Sequence, residues 1–338
     1  MSIVSTEASA VPTEPGIPRW QQSLRDAIRC PRTLLGRVGL ADQIDVDDEN
    51  AFPVFVTEEY VARIERGNPA DPLLRQVLPL TAERAAVAGF SGDPLAEHQG
   101  QPAPGLIQKY RSRALLVLTG ACGIHCRYCF RRTYPYSDAR IDPRRWDEAL
   151  AVLTADPEIE EVIYSGGDPL TLVDETLAEV TRRIAALPQL RALRVHTRMP
   201  IVVPSRIGDA TLDWLTATDK TVTVVLHANH PQELDAEVAQ AIRRLRAAGI
   251  LVLNQAVLLA GVNDDVDTLA RLSWRLLELG VLPYYLHQCD RVQGAAHFEV
   301  PLARGLSLVS QLRAALPGYA VPRYVVEEPG QPHKTLVL

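Results

Sequence analysis

The sequence has no excess of positive charge, no long apolar run and few lysines, and each absence excludes a class of protein or narrows its chemistry. The 338 residues carry a formal net charge of −6, so no basic surface indicates nucleic-acid binding. No apolar run approaches the ~18 residues that a membrane span needs. The first eighteen residues lack a charged n-region and an apolar core, so they do not resemble a signal peptide. We therefore expect a cytoplasmic protein with neither a nucleic-acid nor a membrane partner.

Lysine and cysteine are both scarce, and both are informative. Only three of the 35 basic residues are lysines, so a mechanism that needs a lysine amine has three candidates. The five cysteines are an odd number, and three of them, Cys122, Cys126 and Cys129, lie within eight positions. In a chain without an export signal, this spacing predicts a metal centre rather than disulfide bonds. We interpret Cys30 and Cys289 as incidental small hydrophobic residues.

Composition and pattern divide the chain into four segments. Residues 1–18 are rich in Pro, Ser, Thr and Glu and are predicted to be disordered. Residues 19–103 predict a helical N-terminal extension of short helices, with Thr57 as the cap of one of them. Residues 104–300 form the main domain in this interpretation, and residues 301–338 form a C-terminal segment.

The main domain alternates short β-like runs with amphipathic helices, of which Leu177, Val180, Thr181 and Ile184 show the spacing. Successive runs are mostly separated by roughly 30 residues, the size of a βαβ unit. This α/β pattern predicts a parallel sheet covered by helices. Six units are fewer than the eight of a complete barrel, so we expect a partial (β/α)6 TIM-like barrel, with a doubly wound open sheet as the alternative. The runs lie at residues 114–118, 161–165, 193–197, 221–227, 250–259 and 281–287.

The cysteine loop reads C-x3-C-x2-C and follows the first run. A self-contained [4Fe–4S] site uses four cysteines, whereas three leave one iron open to bind a ligand and react. The alternative is a structural zinc site with His125 as the fourth ligand. The spacing, the position after a strand and Tyr128 before the last cysteine resemble the signature of radical S-adenosylmethionine enzymes. That resemblance implies a [4Fe–4S] cluster on the three cysteines, S-adenosylmethionine on the open iron, and 5′-deoxyadenosyl radical chemistry.

Polar residues also follow the later runs, at the strand ends where parallel α/β proteins place their active sites. The second run is followed by Ser165, Gly166, Gly167 and Asp168. Two adjacent glycines permit close approach of the backbone to a ligand, although a tight turn explains them about as well. In second position after the cysteine loop, these four residues resemble the family's glycine motif, which binds the amino group of S-adenosylmethionine. Further polar residues after the later runs include His196, Arg198, His227, Gln255 and His287.

Three longer segments narrow the resemblance. GLIQKYRSRALLVLTGACGIHCRYCFRR, YYLHQCD and VVEEPGQPHK are similar in sequence and order to the lysine 2,3-aminomutase family. This likeness runs from about Pro104 to the end of the chain. Within the family, the chain most resembles the elongation factor P β-lysylation branch, and that likeness includes residues 20–40.

The family resemblance implies a third cofactor, pyridoxal phosphate, which the family holds as a lysine Schiff base. The matching lysine is Lys334. Of the other two lysines, Lys220 is predicted at the amino end of a strand, on the wrong face of the barrel. Lys109, together with Arg113, resembles the family's basic contacts to the cofactor phosphate.

The resemblance also implies how a substrate is bound. Arg131, two residues after the last cysteine, matches the family's contact to the substrate α-carboxylate, which an arginine can bind bidentately. Asp290 and Glu327 match the two acids that receive the side-chain ammonium, although relatives usually carry aspartate at the second position. A buried ammonium requires a paired acid, so two acids select a cationic amino acid over glutamate.

These features predict an isomerase, an L-lysine 2,3-aminomutase that makes (R)-β-lysine from L-lysine. We expect an electron-donor protein as a partner, and a separate lysyl-ligase that attaches the product to elongation factor P. The sequence ends four residues after Lys334, which we expect to favour that role over free lysine metabolism. Three alternatives stay open, namely an enzyme that serves a free β-lysine pool, a radical enzyme without pyridoxal phosphate, and a zinc-stabilised binding module without catalysis.

Overall fold

The computed structural model describes residues 16–136 and 143–338, so the disorder predicted for residues 1–18 falls almost wholly outside the described chain. Within these ranges the backbone forms a nine-stranded mixed sheet whose strands lie side by side in their order along the sequence. A doubly wound sheet reverses its strand order at a switch point. The sequential order therefore excludes that alternative and confirms the winding of an open (β/α) barrel.

The sheet contains the six predicted strands and three that the sequence pattern did not predict. Its strands are β1 (Leu106–Tyr110), β2 (Arg113–Thr119), β3 (Glu161–Gly166), β4 (Ala192–Thr197), β5 (Thr221–Leu226), β6 (Leu251–Leu258), β7 (Leu282–Gln288), β8 (Arg323–Val326) and β9 (Thr335–Leu336). Strands β2 to β8 run parallel, so β8 adds a seventh parallel strand. Strands β1 and β9 add an antiparallel partner at each edge.

Helices connect the parallel strands and cover the sheet. The helices are α1 (Arg19–Arg25), α2 (Pro31–Arg37), α3 (Glu58–Val61), α4 (Pro72–Arg75), α5 (Pro143–Ala155), α6 (Asp174–Ala185), α7 (Met199–Val202), α8 (Asp209–Thr216), α9 (Ala236–Ala247), α10 (Val266–Glu278) and α11 (Leu302–Ala315). The predicted core face of α6 is buried at all four positions. Asp235 and Asp265 cap α9 and α10, because each carboxylate accepts a hydrogen bond from a first-turn N–H, at 2.9 and 2.8 Å. No helix of the described chain is long and apolar enough to span a bilayer.

The N-terminal extension packs onto the barrel through a shared apolar core, to which it contributes Trp20, Leu34 and Leu73. Thr57 precedes α3, as predicted, but its side chain makes no capping hydrogen bond. The hydroxyl donates instead to the Val202 carbonyl of the barrel at 2.7 Å. Thr57 therefore fastens the extension to the barrel rather than closing the end of its own helix.

A buried ion pair ties the extension to the cysteine loop. Glu83 accepts two hydrogen bonds from Arg127, at 2.8 and 2.5 Å, and one from Arg132 at 2.6 Å. The Arg127 and Glu83 side chains are almost fully buried. Burial alone would raise the pKa of Glu83, but the two arginines outweigh it and lower the pKa. One carboxylate thus pairs with two guanidinium groups, which lie on either side of Cys129 in the sequence.

Replacement Glu83→Gln should destabilise the fold, because it leaves two buried guanidinium groups without a counter-charge. We expect the free energy of unfolding to fall by about 3–5 kcal/mol, measured by urea unfolding of protein prepared without oxygen. The matched control Glu58→Gln removes an acid from the exposed ion pair with Arg37 and should cost less than about 1 kcal/mol. Equal losses in the two variants would contradict the anchoring role of Glu83.

Candidate active site

The residues that the sequence predicts for the site line a single pocket, which includes the loops at the carboxyl ends of the parallel strands. The pocket is bounded by the cysteine loop after β2, the glycine loop after β3 and the C-terminal hairpin of β8 and β9. Its lining includes every predicted site residue, namely Lys109, Arg113, Cys122, Cys126, Cys129, Arg131, Ser165, Gly166, Gly167, Asp168, Asp290, Glu327 and Lys334.

The cysteine loop is fixed by backbone hydrogen bonds to the N-terminal extension. The N–H groups of His125 and Arg127 donate to carbonyl groups of the extension at 2.9 and 2.8 Å. Burial raises the pKa of the Cys122 thiol, and it raises that of Cys129 to about 12. Each thiol therefore loses its proton at neutral pH only when positive charge reaches its sulfur. Three cysteine donors on the wall of one pocket fit an iron–sulfur cluster, whose iron supplies that charge.

The zinc alternative requires His125 as a fourth ligand, but this residue does not line the pocket that the three cysteines share. Its Nδ1 lies 2.8 Å from the Pro53 carbonyl oxygen, and the ring stacks on Phe52 with centroids 4.6 Å apart. In the described ranges, no three His, Cys, Asp or Glu side chains are grouped as a single metal ion requires. The position of His125 outside the pocket therefore favours a cluster on the cysteines over a Cys3His zinc site.

The glycine loop runs directly against the cysteine loop, and this contact requires both glycines. Gly166 has a φ of +126°, which residues with a side chain rarely adopt, and a Cβ there would fall on the Thr119 carbonyl oxygen. A Cβ atom on Gly167 would overlap with the Ala121 carbonyl group and would lie 2.9 Å from Cys122 Sγ. The N–H of Gly167 donates to the Thr119 carbonyl at 2.7 Å. The two predicted motifs therefore form one continuous surface.

The carboxylate of Asp168 is occupied by hydrogen bonds from other residues of the protein. It accepts hydrogen bonds from Thr197 Oγ1 at 2.8 and 3.0 Å, from the Arg198 N–H at 2.7 Å and from the Leu170 N–H at 3.0 Å. Burial raises the pKa of Asp168 to about 6, although these hydrogen bonds oppose the rise. The side chain joins the glycine loop to the loop after β4 and so holds both in place.

Five residues of alternating charge cross the pocket, and we call them the charge chain. Arg131 donates from Nε and Nη2 to the two carboxylate oxygens of Glu97, at 2.6 and 2.9 Å. Lys109 Nζ lies 3.1 Å from Glu97 and 2.9 Å from Glu327, and Glu327 also accepts a hydrogen bond from Lys334. Burial alone would raise the pKa of Glu327, but the two lysines hold it at about 2.

The register of the C-terminal hairpin explains the last link of the charge chain. Val326 of β8 pairs with Thr335 of β9 in an antiparallel bridge. Glu327 and Lys334, the next residues in each direction, are therefore opposite one another. Because β8 lies beside β7 in the sheet, the hairpin brings the C-terminal lysine back to the pocket.

Asp290 and Asp168 are the two acids of the pocket lining that lie outside the charge chain, and they differ in their contacts. Among the hydrogen bonds of the described residues, none reaches the Asp290 carboxylate. Burial, and then repulsion by Glu327, raises the pKa of Asp290 to about 7. A carboxylate in this state becomes fully ionised when a cation arrives beside it. Asp290 is therefore suited to receive a positively charged ligand group.

Three charged residues of the pocket carry no assignment from the sequence. Arg194 lies within β4 and donates to the Glu161 carboxylate of β3 at 3.0 Å. Glu97 lies in the Gly/Pro-rich segment before β1, where no periodicity marks it. Arg198 follows β4, so the rule of polar residues at strand ends identifies its position but not its partner. Three histidines also line the pocket, and burial lowers the pKa of His196, and of His227 and His287 to about 3. Their imidazole groups are therefore neutral at pH 7.

Comparison with known proteins identifies the class of enzyme. Residues 116–272 match the family model of the radical SAM superfamily. The L-lysine 2,3-aminomutase of Haemophilus influenzae is 40% identical over 332 residues, which cover 96% of this chain and 98% of the relative. The enzyme of that name from Escherichia coli is 42% identical over 320 residues, 94% of this chain and 93% of the relative. For the Clostridium subterminale enzyme, 36% identity extends over 84% of this chain and 68% of the relative.

The fold and the pocket are those of a radical S-adenosylmethionine enzyme, and the cofactors of that superfamily are a [4Fe–4S] cluster and S-adenosylmethionine. Within the superfamily, the chain belongs to the lysine 2,3-aminomutase family, and it matches the H. influenzae and E. coli members over nearly their whole length.

Replacement Gly167→Ala should reduce cluster binding, because the added methyl group displaces the Ala121 carbonyl and the Cys122 sulfur. Overpacking of this kind costs about 1–3 kcal/mol, so we expect the iron and sulfide content of the purified protein to fall severalfold. Gly208→Ala is the matched control, because a Cβ there meets no atom within 4 Å, and it should keep full content. Full iron in the Gly167 variant would show that the two loops are not as tightly apposed as described.

Proposed function

We propose that this chain is an L-lysine 2,3-aminomutase that converts L-α-lysine to (R)-β-lysine, with pyridoxal phosphate as its third cofactor. The observation that carries the proposal is the presence, in one pocket, of the cysteine loop, the amine of Lys334 and the unpaired acid Asp290. The relatives from H. influenzae and E. coli support it, since both bear the name of that enzyme.

The reaction explains why these cofactors are needed together. The hydrogen at C3 of an amino acid is essentially non-acidic, so no side-chain base could remove it as a proton. When bound, the cluster with S-adenosylmethionine supplies a primary carbon radical able to take that hydrogen, and pyridoxal phosphate supplies the π bond across which nitrogen moves from C2 to C3. The protein's part is to orient the substrate and exclude water.

Two loops are proposed to hold the radical cofactors. Cys122, Cys126 and Cys129 are the proposed cluster ligands. Ser165, Gly166 and Gly167 are the proposed contacts to the amino group of S-adenosylmethionine, and their tight packing against the cysteine loop supports this assignment. The role proposed for Asp168 in that site is to fix the loop, because its carboxylate already accepts hydrogen bonds from the protein.

Lys334 is the proposed attachment point of pyridoxal phosphate. Lys220 precedes β5, at the opposite end of the strands from the cysteine loop, and pairs with Asp219 at 3.3 Å. Arg113 is the proposed contact to the cofactor phosphate, since it lines the pocket and no ion pair of the described residues includes it. Lys109 is the second proposed contact, although Glu97 and Glu327 share its ammonium in this structure.

Arg131 is proposed to bind the substrate α-carboxylate, and its hydrogen bonds support that role. A guanidinium group carries five N–H donors. Glu97 takes one from Nε and one from Nη2, and Ser165 Oγ takes one from Nη1 at 3.1 Å. One donor on each terminal nitrogen remains. These two donors are available to a substrate carboxylate.

Asp290 and Glu327 are proposed to receive the side-chain ammonium of lysine. Among the described residues, no side chain forms a hydrogen bond or ion pair with the Asp290 carboxylate, whereas Glu327 is shared by two lysines. The side-chain ammonium of lysine would give Asp290 the counter-charge that these residues do not supply. A neutral or acidic side chain could not pair with Asp290, which supports lysine as the substrate.

Lys334→Ala should abolish turnover while the iron and sulfide content stays unchanged, because the lysine carries one cofactor and the cysteines hold another. Borohydride reduction followed by peptide mass spectrometry should place a pyridoxyl adduct on Lys334 of the unaltered protein. The control Lys220→Ala removes the lysine at the other end of the barrel and should keep both the adduct and the activity. An adduct on Lys109, or full activity without Lys334, would reject the assignment.

Asp290→Asn should raise the Michaelis constant for lysine by roughly 30-fold or more, the effect of about 2 kcal/mol for a truncated buried charge pair. Because the pKa of Asp290 lies at about 7, protonation below that pH removes the charge. The Michaelis constant of the unaltered enzyme for lysine should therefore rise as the pH falls below 7, whereas the Michaelis constant of the variant should not. The control is inhibition by L-2-aminohexanoate, which keeps the α-amino group but lacks the side-chain ammonium of lysine. Its inhibition constant should be equal for the variant and the unaltered enzyme. A flat profile in the unaltered enzyme would contradict this role.

The product is proposed to serve elongation factor P. The matches to the H. influenzae and E. coli relatives cover more of those proteins than the match to the C. subterminale relative does, which supports the branch that the sequence resembles. In this proposal the enzyme acts in the cytoplasm, receives electrons from a donor protein, and passes β-lysine to a separate ligase. Deletion of the gene, followed by intact-mass measurement of elongation factor P, tests it. We expect the mass of elongation factor P to fall by the mass of one β-lysyl group. An unchanged mass would favour an enzyme that serves a free β-lysine pool.

A further inference from the structure

Arg198 is a buried cation that touches a cysteine of the candidate cluster site. Its Nη1 donates a hydrogen bond to Cys126 Sγ, with the two atoms in close contact at 2.7 Å. The side chain is only 5% exposed. No part of the proposed lysine chemistry uses this residue, so its position beside the sulfur needs a separate explanation.

The guanidinium is held from the side opposite the sulfur. Its Nη2 donates to Gln76 Oε1 at 2.8 Å, to Glu233 Oε2 at 2.9 Å and to the Tyr60 hydroxyl at 3.3 Å. The guanidinium carbon lies over the rings of Tyr60 and Tyr128, 5.5 and 5.7 Å from their centroids. Arginine presents its donors in a rigid planar fork, so these contacts to Nη2 also fix the direction of Nη1.

The backbone of Arg198 is fixed as firmly as its side chain. Its N–H donates to the Asp168 carboxylate at 2.7 Å. Glu233 is itself held by the N–H groups of Asn229 and His230, at 3.0 and 3.1 Å. The donor on Nη1 therefore reaches Cys126 from a preorganised support, and this support includes two residues of the N-terminal extension.

We propose that Arg198 sets the reduction potential of the iron–sulfur cluster by stabilising negative charge on the Cys126 sulfur. The inference rests on the proposed role of Cys126 as a cluster ligand. Reduction adds one electron, taken from the external reductant, to the cluster and its thiolates. A fixed positive charge and a hydrogen bond at a ligand sulfur stabilise the reduced form more than the oxidised form, so the potential rises.

This role also gives the N-terminal extension a function near the cluster. Gln76 and Tyr60 belong to the extension, and they orient Arg198 although neither touches a cysteine in the described contacts. The extension would then influence how readily the cluster accepts an electron, in addition to covering the barrel.

The test is an anaerobic dithionite titration of the cluster, followed by electron paramagnetic resonance, without S-adenosylmethionine. Arg198→Gln should lower the midpoint potential by at least the equivalent of a tenfold change in the ratio of reduced to oxidised cluster, about 59 mV for one electron. Arg198→Lys keeps the positive charge but loses the planar set of guanidinium donors, so it should lower the midpoint potential by less than Arg198→Gln does. Arg63→Gln is the matched control, because Arg63 is equally buried and contacts Asp235 and the Ile201 carbonyl. Its midpoint should equal that of the unaltered protein.

A midpoint in Arg198→Gln equal to that of the Arg63→Gln control would overturn the inference. If Arg198→Gln binds no iron, the unaltered protein labelled with nitrogen-15 arginine decides the question. Pulsed resonance of its reduced cluster should detect a nitrogen-15 coupling that disappears in Arg198→Lys, and the lack of such a coupling would overturn the inference. Iron content in Cys126→Ala separates the two proposals, because full content there rejects the cluster assignment itself.

Discussion

The pocket depends on the pairing of its buried charges, and above all on the charge chain from Arg131 to Lys334. A lone charge in such a place costs several kcal/mol or more, and it is tolerated only beside an opposite charge with suitable hydrogen bonds. The members of the chain come from four distant segments, namely the cysteine loop, the N-terminal extension, β1 and the C-terminal hairpin. The apolar core brings these segments together, but the alternation of charge determines which side chains meet and in what order.

The charges of the pocket also relate it to its proposed ligands. The charge chain holds three cations and two acids, so each acid in it lies between two cations. Asp290 lies outside the charge chain, and burial raises its pKa to about 7. A cationic substrate group beside Asp290 would ionise this carboxyl fully, so that neither charge is buried without a partner.

Much of the barrel could be predicted from the sequence, because apolar runs that alternate with amphipathic helices specify parallel strands almost independently of context. The cysteine and glycine loops could also be located, since their chemistry depends on residues close together in the chain. By contrast, β8 is four residues long and follows a proline, which is too little pattern to identify a strand. Glu97 and the hydroxyl of Thr57 act only through tertiary contacts, and no local signal marks such residues. The sequence indicated that Arg198 stands at a strand end, but only the fold shows that it meets Cys126.

The most direct test of the central claim is an anaerobic reaction of the purified protein with L-lysine deuterated at C3. S-adenosylmethionine, dithionite and pyridoxal phosphate are supplied, and the products are analysed by mass spectrometry. We expect β-lysine with deuterium at C2, because the hydrogen atom taken from C3 returns to the product radical at C2, and we expect none when dithionite is omitted. β-Lysine without deuterium at C2, or unchanged lysine beside an intact cluster, would contradict the aminomutase assignment, because the radical would then act on some other substrate or at some other position.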